Sequence, residues 1–128
     1  MVSKSLHHYQ SAVILYDAKH YTDTIAVDLH YAVEIILKSF LVNNNQKIVK
    51  THDLIELVSL LKANLEFDED ELSLLDVITR YHIQESYPSF DRALPSRIEI
   101  KEAMKFTQAL FLNACKIINI PEESIINE

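Results

Sequence analysis

The residues of this chain best suited to chemistry are histidines and cations. His52 and His82 carry the side chain whose ordinary pKa lies nearest neutral, so each can move a proton, hold a metal or face an anion. Lys50, Arg80, Arg92 and Arg97 add fixed positive charge, the kind of set that receives a phosphate. His7, His8, His52 and His82 could in chemical terms hold zinc. None of them shows the paired spacing of known metal motifs, so no metal and no other cofactor is expected. His52 alone reads first as a capping or hydrogen-bonding residue. Glu69 and Asp70 are a carboxylate pair that an acidic helix start explains without catalysis. Cys115, the chain's one cysteine, has no internal disulfide partner. It lies among Leu110, Phe111, Leu112, Ile117 and Ile118 and reads as a small buried hydrophobe rather than a nucleophile.

Composition narrows what could position these groups. The chain of 128 residues is the size of one domain, and at 48% hydrophobic it can build one core. It contains no glycine. Phosphate-cradling loops, dinucleotide fingerprints and nucleophile elbows all need glycine, so those enzyme classes drop out. Helices ended by asparagine fit better, because asparagine is the next choice for a left-handed cap. The formal net charge of −7 argues against nucleic acid as the main partner. The N-terminus has no apolar signal core, and the apolar stretch Ala32 to Val42 is too short to span a bilayer. A cytoplasmic protein is expected.

Apolar spacing predicts an all-α, antiparallel up-and-down bundle of about five helices, one domain over residues 1–120, with a frayed tail over 121–128. The first helix is expected roughly over Lys4–Ala18, with Leu6, Tyr9, Val13 and Tyr16 on one face. The second, roughly Asp23–Val42, is the most apolar and should be central. Glu34 and Lys38 lie off its stripe and read as a surface pair, or as an interface pair in a dimer. Thr51 or His52 opens the third helix. Asp68 with Glu71 and Ser96 with Glu99 are capping-box starts for the fourth and fifth. On the fifth, Ile98, Ala103, Phe106, Leu110 and Ile117 should face inward. Between the last two helices, Gln84 to Pro95 reads as a long loop, either a functional segment or a plain connector.

The run Ala32-Val33-Glu34-Ile35-Ile36-Leu37-Lys38-Ser39-Phe40-Leu41, followed after a loop by Lys50-Thr51-His52-Asp53-Leu54, resembles the HEPN family. Tyr87-Pro88 is similar to the family's Arg-Tyr-Pro turn, with Ser86 in place of the arginine. The likeness extends from about Leu6 to Ile118. It implies a helical bundle that often dimerises and is often encoded beside a minimal nucleotidyltransferase, in toxin–antitoxin-like pairs. Its proposed roles are nucleotide binding, protein interaction and, in one large branch, RNA cleavage. That branch carries an arginine followed four to six residues later by a histidine. Arg80, Arg92 and Arg97 have no histidine at that spacing; His82 follows Arg80 too closely.

If the helices alternate strictly, Lys4, Lys47, Lys50, Arg80, Arg92, Arg97 and Lys101 share one end of the bundle with Asp53, Glu85, Asp91, Glu99 and Glu102. That basic end, with helix N-termini beside it, suits a phosphate or an acidic partner. The expected site residues are therefore Lys50, His52, Arg80, His82, Arg92 and Arg97, binding an anion or nucleotide without catalysis. The expected role is a non-catalytic binding domain, homodimeric, partner of a nucleotidyltransferase and not membrane-bound. The rival readings are a divergent ribonuclease using His52 or His82 with Arg80, and a purely structural dimeric module.

Overall fold

The structure, a computed structural model, describes residues 2–62, 65–86 and 94–117. Five helices follow in order: α1 (Val2–Asp17), α2 (Thr22–Asn43), α3 (Leu54–Ser59), α4 (Glu69–Ser86) and α5 (Arg97–Ile117). There is no strand among the described residues. The expected all-α bundle is what forms.

The helix ends show how a chain without glycine turns. At the end of α2, Asn45 takes a left-handed φ of 58°. The amide of Gln46 then bonds the carbonyl of Leu41 at 2.8 Å, and that of Asn45 bonds Val42 at 3.1 Å, which satisfies carbonyls the helix leaves open. The end of α1 repeats this geometry with Lys19 at φ 57°, a residue type less suited to it. Helix starts use side chains. Asp68 and Glu71 exchange reciprocal side-chain to backbone bonds of 2.8 and 3.1 Å, a complete capping box. Ser96 accepts from the Glu99 amide at 3.1 Å, but the Glu99 carboxylate turns instead to the Tyr81 hydroxyl. α3 starts later than expected because Asp53, not Thr51 or His52, is its cap and accepts from Ile55 and Glu56. Thr51 and His52 are thereby left outside the helix, where the side chain of His52 is free to reach sideways.

α2 is the central helix. Ile25, Leu29, Val33, Ile36, Leu37 and Phe40 are fully buried and pack in one cluster with residues of the other four helices. On α5 the buried stripe is Ile100, Ala103, Thr107, Leu110, Phe111 and Ala114. Ile98 and Ile117, expected inward, are 76% and 44% exposed. Ile98 sits two residues from Ile100, about 200° round the helix, so it faces water. Phe106 is only partly buried.

Helix direction decides which charges meet. α1 and α2 are antiparallel, joined by Ser5 Oγ to the Ala32 carbonyl and Ser11 Oγ to Asp28. After α2 the chain doubles back until His52 lies beside Glu34. α3 then runs in the same sense as α2, and Gln46 bonds the carbonyl of Leu60 at its end. Strict alternation therefore does not extend to α3. Arg97 lies at the far end of α1, bonded to the Tyr16 carbonyl at 2.9 Å. Lys4, twelve residues earlier, is about 18 Å away along that helix, so the two do not share a basic end. No helix of the described residues is long and apolar enough to cross a membrane. α4 continues to Ser86, so 84–86 are helical. Tyr87, Pro88, Phe90, Arg92 and the 121–128 tail lie outside the described residues.

Candidate functional site

Three elements converge midway along α2. On α2, His30 and Glu34 are one turn apart and point the same way. The extended segment before α3 brings His52 to them, and α4 brings His82. Glu34 is the centre of the group. Its Oε1 lies 2.7 Å from His52 Nδ1 and 3.2 Å from His30 Nε2, and its Oε2 accepts from Lys38 Nζ at 3.2 Å. His30 Nδ1 bonds the Ile78 carbonyl at 3.0 Å, which ties α2 to α4. The His82 ring stacks on His52 with centroids 4.2 Å apart and on His30 at 5.2 Å. Tyr31 lies edge-on to both His30 and His82.

The group is graded from core to solvent. The His30 side chain is fully buried, that of Glu34 is 8% exposed, and that of His52 is 56% exposed. Burial pushes the Glu34 pKa up. Hydrogen bonds from His30 and His52 and the adjacent Lys38 ammonium outweigh that and hold it at about 2. Glu34 is thus a carboxylate at any ordinary pH. It is not the surface half of a helix pair that its position off the apolar stripe suggested.

The sequence-based site residues separate in space. His52 and His82 come together, and Lys50 is an exposed residue on the segment leading to His52. Arg80 does not join them. Two residues from His82 on α4, it faces away, is exposed and pairs with Asp76 at 3.3 Å. There it borders a cavity of about 340 Å³ with Tyr81, Pro95 and Glu99. Arg97 lies over the Tyr16 ring, 4.0 Å from its centroid. Arg92 lies outside the described residues. His8, grouped with His52 as a chemically possible zinc ligand, is held by Asp28 at 3.2 Å.

His30 is the member that sequence reasoning passed over. The available signal was its spacing from Glu34: i and i+4 on one helix place two ligand-type side chains on one face. It was masked by the apolar residues around it, which read as core.

The fold is an all-α bundle built round a central apolar helix, with a histidine–glutamate seam beside it. The chain matches the family described as HEPN domain over residues 1–118, and it belongs to that family. No curated protein and no solved structure matches it. The two segments that resembled the family, around Glu34 and around His52, are the two that meet at the site.

Proposed function

We propose that this HEPN domain binds rather than cleaves, and that it works as the protein partner of a minimal nucleotidyltransferase in a toxin–antitoxin-like pair. The observation that carries the reading is the divergence of Arg80 and His82 on opposite faces of α4. The rival ribonuclease reading needs Arg80 to hold the phosphate where His52 or His82 moves a proton. Here the arginine is spent on Asp76 at the surface, while His52 is anchored by Glu34 and stacked on His82.

In this reading the face formed by Lys50, His52 and His82 receives a nucleotide phosphate, with ring faces beside it for stacking. Exposed apolar side chains support a homodimer: Ile14, Tyr21 and Ile98 are 67%, 68% and 76% exposed. Titration of ATP while amide spectra are recorded tests the nucleotide face. Shifts should cluster at Lys50, His52 and His82 and shrink at high salt. Shifts confined to Glu66–Glu71, or none at millimolar ATP, would reject it. Co-expression with a minimal nucleotidyltransferase should give one co-eluting complex, and separate elution of the two chains would reject that partner.

A further inference from the structure

We propose that His30, Glu34 and His52 form a binding site for a divalent transition-metal ion such as zinc. The ligand atoms, His30 Nε2, one Glu34 oxygen and His52 Nδ1, all lie within 4.8 Å of one another. No other group of three or more such residues occurs among the described residues. Ligands of one tetrahedral zinc at about 2.0–2.1 Å stand about 3.3 Å apart. The 3.2 Å between His30 Nε2 and Glu34 Oε1 already meets this, and the 2.7 Å from Glu34 Oε1 to His52 Nδ1 involves an exposed ring with room to adjust.

The surroundings favour a metal as well. The Ile78 carbonyl can only accept, so His30 Nδ1 carries a hydrogen. Nε2 of the same ring is then the nitrogen that faces the carboxylate, 3.2 Å from Glu34 Oε1, and the one that would ligate an ion. An imidazole fixed through its far N–H by a backbone carbonyl is the usual outer support of a metal-bound histidine. Lys38 occupies Glu34 Oε2, which leaves Oε1 as the single ligating oxygen. Two nitrogens and one oxygen suit zinc, cobalt or nickel and not calcium or magnesium, which take oxygen alone. Three protein ligands leave a fourth position for water or an anion, on the solvent side where His52 lies. His82 stacks against both imidazoles and steadies them without being counted as a ligand.

The test is titration of the metal-stripped full chain with zinc, followed by calorimetry, and with cobalt(II), followed by visible absorption, without nucleotide. One ion per chain should bind in the micromolar range, and cobalt should give the intense bands of a four- or five-coordinate site. His52→Ala removes an exposed side chain and should keep the helical spectrum while weakening binding at least about tenfold. Glu34→Gln should weaken it similarly, and a His7→Ala/His8→Ala double variant should bind as the parent does. Absent binding, unchanged affinity in folded His52→Ala, or affinity lost with His7 and His8 would each overturn the site. None of these outcomes would alter the reading of the domain as one that binds rather than cleaves.

Discussion

Glu34 Oε1 and His52 Nδ1 lie 2.7 Å apart, although eighteen residues separate them in the chain. The contact joins the middle of α2 to the extended residue before the α3 cap. It holds the 44–53 segment back against α2 and so sets where α3 begins. Removing the carboxylate leaves buried His30 and half-buried Lys38 without their partner. Glu34→Ala should therefore lower unfolding stability by about 2–3 kcal/mol, read from urea midpoints. His52→Ala, at the exposed edge, should cost less than half of that. Equal losses in the two variants would show that the anchor is not graded as described.

Tyr81 donates to Glu99 Oε2 at 2.5 Å and links α4 to α5. Burial, then the hydrogen bond and charge of Glu99, raise its pKa well above the usual value of 10.0. A raised pKa means that the folded state holds the proton more tightly than the unfolded state does. The stabilisation is complete below about pH 10 and is lost as pH rises beyond it. The parent should therefore lose stability relative to Tyr81→Phe between about pH 10 and pH 11.5. Parallel stability curves for the two proteins over that range would contradict the coupling.

Helix ends make separate predictions. Asp53→Ala should cost about 1 kcal/mol, because the Ile55 and Glu56 amides lose their acceptor. Lys19→Gly should gain up to about 1 kcal/mol, since φ 57° favours glycine there. Thermal midpoints of the two variants should move in opposite directions, and movement in the same direction would argue against one of these cap geometries.

Much of the fold was legible in the sequence because it rests on local patterns. The apolar stripe of α2, the Asp68–Glu71 box and the asparagine cap each depend on residues a few positions apart, and each formed as read. The site was less legible because it depends on direction. A single reversal in the 44–53 segment places His52 at Glu34 and separates Lys4 from Arg97, and no local spacing encodes that. Helical periodicity alone separates Arg80 from His82, since two residues on a helix face nearly opposite sides. Ile98 was misplaced for the same reason, being two residues out of register with Ile100. His30 was hidden because a lone histidine on an apolar face reads as core, and its role emerges only when His52 arrives from another segment.

The central claim is that this HEPN domain binds without cutting RNA, and incubation with RNA tests it most directly. Single-stranded and structured RNA should both stay intact with the full chain, whether zinc or a chelator is present. Cleavage that vanishes in His82→Ala would contradict the account and restore the nuclease reading.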